Sequence, residues 1–308
     1  MKKIHFSRLL RLLLLASLAL LCIVSIDAFL YEPFHPQVTY HSIELSKLPQ
    51  SLDGLRIVHL SDLHYGQTIK DGYLQRVVCT VNALHPDIVV ITGDMVPGYG
   101  VRTNPLSPKA TARRITIERA NRCGRIMGGL RANYGVYAVP GNHDERTMAA
   151  DAVTNGFRAA KIVMLNNENV LLSIHGQHLW LAGTRSALAQ NADFGKALAK
   201  VNPEEPVILL AHEPDVADRV ANEYPFVDLQ LSGHSHGGQV RLFGAEPVLP
   251  TLGRKYPMGL YQVGQMALYT TRGIGLVQPP MRLFCLPEIS VLTLKSRTAP
   301  HPVRSEPR

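Results

Sequence analysis

The chain reads as an α/β protein, and three observations predict it. Strand-like runs of aliphatic and β-branched residues alternate with helical repeats. Several of those runs end in a polar, glycine-containing turn. The turns concentrate Asp, Asn and His, and ligand sites in α/β sheets gather at the C-terminal ends of strands.

The elements follow in order. Residues 1–30 open with Lys2, Lys3, Arg8 and Arg11, then an unbroken apolar run from Leu12 to Ile26. A bilayer span needs about 20 residues. Leu9 to Leu30 reaches that length if Arg11 snorkels and Asp27 sits near the far interface. The reading is an uncleaved anchor. Its rivals are a cleaved signal, whose best cleavage pattern is Ile26-Asp27-Ala28, and a hydrophobic helix packed on the domain. The basic flank puts the N-terminus in the cytoplasm. The body is therefore expected on the other side of the membrane, outside the cytoplasm.

Residues 31–54 carry Pro33, Pro36 and Pro49 and read as a linker plus an edge strand, His41 to Leu45. The domain proper is expected over 55–294. Leu55 to Leu60 is a strand delivering Asp62. Tyr73, Leu74, Val77, Val78, Val81 and Leu84 repeat at helical spacing, and His85-Pro86 stops that helix. Asp87 to Thr92 is an apolar strand delivering Gly93-Asp94. Residues 97–112 read as a loop, Ala112 to Leu130 as a helix, and Gly135 to Val139 as a strand. Short strands follow at Lys161–Leu165, Asn169–Ile174 and His178–Ala182, then a helix over Ala187–Lys200. Val207 to Ala211 is a strand, Asp215 to Ala221 a helix, and Val227 to Leu231 a strand. The last expected strands are Gln239–Phe243, Ala267–Thr271 and Glu288–Leu294. Residues 295–308 are read as a disordered basic tail.

The net charge of +8 resembles a nucleic-acid signal, but most of it lies at the ends. Residues 1–30 and 295–308 each contribute +3, leaving a nearly neutral body. Within the body, eight Lys/Arg cluster between Arg102 and Arg131, so the remainder is acidic. That balance fits metal-binding carboxylates better than a nucleic-acid face, and no nucleic-acid partner is expected. Cys22, Cys79, Cys123 and Cys285 form no close pair and imply no disulfide framework.

Five motifs carry the chemistry: Asp62-Leu63-His64, Gly93-Asp94, Gly141-Asn142-His143-Asp144, His212, and Gly233-His234-Ser235-His236. They hold enough nitrogen and oxygen donors for two adjacent metal ions, with one His and one Asp to spare. None contains cysteine, which points to a hydrolytic site and not a structural zinc knot. Such a site activates water and stabilises in-line displacement at phosphorus. A lone histidine in a sequence is most often a hydrogen-bonded core residue. Histidines repeated at strand ends beside Asp and Asn are not.

The order and spacing of these motifs resemble the calcineurin-like metallophosphoesterases. The likeness is closer to a bacterial membrane-anchored branch, through His212-Glu213-Pro214-Asp215, Leu231 to Gln239 and Thr271 to Gly275, which implies a bacterial inner membrane with the catalytic domain extracytoplasmic. The resemblance implies an α-β-β-α sandwich of four layers with two mixed sheets. It places Asp62, His64, Asp94 and His236 on one ion and Asp94, Asn142, His212 and His234 on the other, with Asp94 bridging. His143 is then the proton donor to the leaving oxygen, oriented by Asp144. The expected cofactors are two divalent ions, manganese first, with Fe, Zn, Co and Ni the other metals suited to these donors. The branch often carries another Asp where Pro97 stands, so the adjacent loop departs from it.

The expected activity is phosphodiester or pyrophosphate hydrolysis by a metal-bridging hydroxide, on a membrane phospholipid or nucleotide-lipid. Arg102, Arg113 and Arg114 are candidate headgroup ligands, and the apolar segment Leu242 to Tyr261 is a candidate acyl pocket. One alternative, from the resemblance, is a UDP-2,3-diacylglucosamine pyrophosphatase of lipid A synthesis. Another class is a non-catalytic metal-binding scaffold.

Overall fold

The computed structural model describes residues 2–98, 109–147, 149–242, 246 and 248–297. The N-terminal helix α1 (Lys2–Ile26) continues through a wider turn at Asp27–Tyr31 and a short turn at Glu32–Phe34. It is long and apolar enough to cross a membrane, and the domain does not cover it. The chain then runs β1 (Gln37–Leu45), β2 (Arg56–Leu60), α2 (Asp71–Ala83), β3 (Ile88–Ile91), α3 (Lys109–Met127), β4 (Val136–Ala138), α4 (Asn142–Glu145) and α5 (Ala150–Ala159). It continues through β5 (Val163–Met164), β6 (Glu168–Ile174), β7 (Gln177–Gly183), α6 (Phe194–Ala197), β8 (Val207–Leu210), α7 (Ala217–Glu223) and β9 (Leu229–Ser232). It closes with β10 (Gly259–Val263), β11 (Met266–Thr270) and β12 (Glu288–Ser296).

The strands form two six-stranded mixed sheets, ordered β1-β12-β2-β3-β4-β5 and β10-β11-β9-β8-β7-β6. Strand periodicity explains the layering. Along β2 and β3, Ile57, Ile88 and Val90 face the second sheet, while Val58, Val89 and Ile91 face α2, α3 and α5. A third apolar cluster joins the outer face of the second sheet to α6 and α7. The result is the expected four-layer α-β-β-α sandwich. β2, β3 and β4 are mutually parallel, as are β7, β8 and β9. The C-terminal ends of β2, β3, β4, β8 and β9 deliver the five motifs to one edge.

Several elements differ from the sequence reading. The expected helix at 187–200 is a single turn, because the buried Glu213 carboxylate takes the N–H groups of Ala187 and Leu188 and holds them away from a helix. Within the expected strand Gln239–Phe243 the described residues make isolated bridges, Val240 with Leu283 among them, and Phe243 lies outside the described residues. There the Gly237-Gly238 turn leaves Gln239 at φ 57° with its side chain engaging Val277 and Pro279. Helix α5 was not read from the sequence, and it packs so closely on α3 that a Cβ on Gly124 would lie 2.5 Å from the Gly156 carbonyl oxygen. β10, also unread, pairs with β11 at the edge of the second sheet. At the C-terminus, β12 runs to Ser296, where Lys295 and the Ser296 N–H both bind Asp53. The rest of the tail read as disordered, beyond Arg297, lies outside the described residues.

Candidate metal centre

Five of the candidate ligands hang from turns with unusual backbone. Asp62, His64, Asp94, His234 and His236 have φ of 55°, 41°, 53°, 70° and 54°, the left-handed region that residues with a Cβ rarely adopt. Such strain persists where surrounding structure over-determines it, as it does at binding sites. Close packing supplies the constraint. Gly93 lies so near its neighbours that an added Cβ would sit 2.6 Å from His212 Nδ1 and 2.7 Å from the Gly141 nitrogen. A Cβ on Gly141 would sit 2.2 Å from Asp94 Oδ1.

Asp94 is the centre. Its Oδ1 accepts the His143 backbone N–H at 2.8 Å. Its Oδ2 lies 3.5 Å from His64 Nε2 and 3.3 Å from His212 Nε2. One oxygen is thereby pinned, and the other faces two separate histidine groups. On one side, His64 Nε2 and His236 Nε2 are 3.2 Å apart, and His236 Nε2 is 3.3 Å from Asp62 Oδ1. On the other, His212 Nε2 and His234 Nδ1 are 3.2 Å apart. Both Asp62 oxygens accept the His234 backbone N–H, tying the two sides together.

Backbone contacts fix the ring tautomers. His212 Nδ1 lies 2.6 Å from the Thr92 carbonyl oxygen, which only accepts, so Nδ1 carries the proton. His234 Nε2 donates to the Thr251 carbonyl at 2.9 Å. In their neutral forms both rings therefore turn bare nitrogen lone pairs toward each other. His143 is the opposite case. The Gly98 N–H donates to its Nδ1 at 3.0 Å, so the neutral ring carries its proton on Nε2. That Nε2 lies 3.9 Å from Asp94 Oδ2 and the side chain is one-third exposed.

Burial dominates the electrostatics. It pushes the Asp62 carboxyl up to about 6, against His212 and with help from Asp94. It pushes His64 down to about 3 and His236 well below the imidazole range. Burial also opposes charge on Asp94 and His212, but their mutual attraction wins: Asp94 is held well below the carboxylate range and His212 well above the imidazole range.

These residues fit a pair of divalent cations. Facing lone pairs at 3.2 Å repel unless a cation or proton lies between them. Asn142 Oδ1 and His236 Nδ1 are buried polar atoms with no hydrogen-bond partner. A buried amide oxygen without a partner is a donor atom that a cation would satisfy. The groups Asp62-His64-His236 and Asp94-His212-His234 each bring three donor atoms within one ion's reach. His64, Asp94 and His143 also approach one another, but the His143 tautomer turns a proton and not a lone pair inward.

Two expectations change. Asp144 does not orient His143. Its oxygens accept the N–H groups of Gly141 at 2.9 Å, Val96 at 3.0 Å and Met95 at 3.2 Å. An acidic residue in the first turn of α4 is drawn to nearby backbone amides, and here it clamps the Asp94 turn to the Asn142 turn. Of the arginines, Arg102 lies outside the described residues, and Arg113 and Arg114 are exposed on the outer helix α3. Arg114 pairs with Glu118 at 3.9 Å, not with the centre.

The sequence reading missed residues that act through their backbone. Thr92, Thr251 and Gly98 set three ring tautomers with groups every residue carries, so no sequence signal marks them. It also missed Arg282. That fully buried guanidinium donates to the carbonyls of Arg272 at 2.8 Å, Gly275 at 2.9 Å, Cys285 at 3.0 Å and His236 at 3.4 Å. Glu213, inside a motif already noted, could have been found by its place one residue after a ligand candidate.

Comparison with known proteins agrees with this geometry. The family model for calcineurin-like phosphoesterases matches residues 55–238. The uncharacterized metallophosphoesterase YkuE of Bacillus subtilis is 33% identical over 267 residues, covering 86% of this chain and 87% of its own length. A transmembrane protein with metallophosphoesterase domain from Danio rerio is 33% identical over 271 residues, covering 84% of this chain. An uncharacterized metallophosphoesterase of Helicobacter pylori is 30% identical over 263 residues, also covering 84%. The chain spans 57% of the Danio rerio protein's length and 64% of the Helicobacter pylori protein's. The apolar N-terminal helix and the transmembrane relatives together fit a membrane anchor.

Proposed function

This chain belongs to the calcineurin-like phosphoesterase family, and from that premise we propose a membrane-anchored, two-metal hydrolase of phosphodiesters or pyrophosphates held at a bilayer. The single observation that carries the two-metal reading is the placement of Asp94 Oδ2. It stands between the His64 and His212 groups, where one carboxylate could serve two cations. Asp62, His64, Asp94 and His236 would hold one ion; Asp94, Asn142, His212 and His234 would hold the other. Manganese is the first choice among metals suited to these donors. Such ions, when bound, supply Lewis acidity at phosphoryl oxygens and lower the pKa of water.

The chain's own residues supply the rest. Asn142 is neutral, so it adds a donor without adding negative charge near a phosphate. His143 presents Nε2–H at the edge of the cluster and would donate a hydrogen bond to the leaving oxygen, stabilising the charge that develops there. The Gly98 N–H keeps that proton on Nε2. Asp144 holds the Asp94 and Asn142 turns in register. The complete donor set favours a catalyst over a scaffold.

The anchor favours a lipid substrate, and the basic N-terminal flank favours an extracytoplasmic domain at a bacterial inner membrane. A UDP-2,3-diacylglucosamine pyrophosphatase would instead need the domain in the cytosol, so a reporter fusion after residue 294 separates the two. The deciding experiment is hydrolysis of bis-p-nitrophenyl phosphate by the full chain in detergent, metal-stripped and then reloaded with Mn²⁺. Metal-dependent cleavage, abolished in Asp94→Asn, is the expected result. Folded, metal-loaded protein that cleaves neither this ester nor a phospholipid would refute the hydrolase reading.

A further inference from the structure

The end of the membrane helix is built into the floor of the metal centre. The Ala28 carbonyl accepts the Arg282 N–H at 2.9 Å. Glu32, buried just past the helix, accepts the N–H groups of Phe284 at 2.8 Å and Cys285 at 3.2 Å. From this segment the Arg282 guanidinium and the Cys285 thiol both reach the carbonyl of His236, each at 3.4 Å. One short loop thus touches the anchor with its backbone and a metal-ligand candidate with its side chains. The anchor is docked and not merely tethered.

This docking leaves Phe284 in an unfavourable state for water. It is 66% exposed and held at φ 53°, the left-handed region a bulky residue avoids. The Glu32 carboxylate maintains that conformation by binding the two successive N–H groups. Beside it, on the last turn of the helix, Phe29, Leu30 and Tyr31 are also exposed. Exposed aromatics at the end of a membrane helix belong to the lipid–water interface. A contiguous apolar patch on a soluble surface marks an interaction site. Here the patch continues the surface of a helix already suited to lipid.

We infer that Phe284 is a second membrane contact: it enters the bilayer interface beside the anchor and seats the metal centre on the lipid surface. This rests on the membrane-anchor reading above but not on catalysis. The occupant is a phospholipid bilayer, and the consequence is a substrate approached from the membrane side. Arg282 and Glu32 are the positioning residues of this joint.

The test uses the full chain reconstituted in phosphatidylcholine–phosphatidylglycerol vesicles, with or without bromine on the acyl chains. Trp180 is the chain's single tryptophan and serves as the internal reference. Three variants each add one tryptophan: Phe284→Trp, Leu20→Trp within the helix, and Val163→Trp on β5, at the far edge of the first sheet from β1. The expected result is loss of most of the added emission by bromolipid for Phe284→Trp and Leu20→Trp, and none for Val163→Trp. Quenching of Leu20→Trp alone would overturn the second contact while leaving the anchor intact. Failure to quench Leu20→Trp would overturn the anchor, and the inference with it.

Discussion

His212 and His143 stand on either side of the same carboxylate, and their backbone partners are opposite in kind. A carbonyl accepts a hydrogen bond from Nδ1–H of His212, leaving a bare Nε2 beside Asp94. An amide N–H donates a hydrogen bond to Nδ1 of His143, leaving Nε2–H beside Asp94. On the proposed reading the same side chain serves as a metal ligand in one turn and as a hydrogen-bond donor to the leaving oxygen in the other. The polarity of one backbone contact sets the role. Histidine count alone cannot separate them.

The largest test of that contrast removes what the two sides share. Asp94→Asn should lower bound metal from two ions to fewer than one per chain, by elemental analysis, and abolish diester cleavage. The next separates the two roles. His143→Ala should keep full metal content and lose about 10²–10³-fold in rate on substrates with poor leaving groups. The loss should be small with p-nitrophenolate, which leaves without a proton. An equal loss on both esters would contradict the leaving-oxygen role. A smaller effect comes from crowding the ligand side. Gly93→Ala at φ 98° forces a methyl against His212 Nδ1. It should weaken metal affinity about 10–100-fold by displacing the ligand's support and cost about 1–3 kcal/mol in folding, by thermal unfolding.

Much of the site was legible because metal ligation demands particular side chains at strand ends. Asp62, Asp94 and His212 each follow an apolar strand closely, so strand detection and ligand detection reinforced one another. The Asp144 role was not legible, since its partners are the amides of Met95, Val96 and Gly141. The helical pattern at 187–200 misled because a carboxylate far along the chain, Glu213, captures the backbone there. Tertiary contacts of this kind override local propensity. The basic run on α3 gave no tertiary placement of its own: Arg113 and Arg114 are exposed on an outer helix.

Two further outcomes lie away from the centre. Glu288 is buried against Arg272, Tyr269 and Thr39. Burial opposes its charge, but Arg272 and these hydrogen bonds outweigh it and hold its pKa below the ordinary 4.5. The stability it contributes is therefore present above about pH 4.5 and lost as pH falls through the depressed folded-state value. Glu288→Gln should lower the melting temperature at pH 7 and flatten its decline in acid. The smallest effect is Arg114→Ala on exposed α3, expected within about 0.5 kcal/mol in stability and without change in turnover. A large loss of lipid cleavage in that variant would restore the headgroup role.

The most direct test of the two-metal site is a Mn²⁺ titration of the metal-stripped full chain, followed by turnover and by electron paramagnetic resonance. Activity rising to a plateau at two equivalents, with the spectrum of an exchange-coupled pair, is the predicted result. A plateau at one equivalent with an uncoupled spectrum, or full turnover without metal, would contradict it.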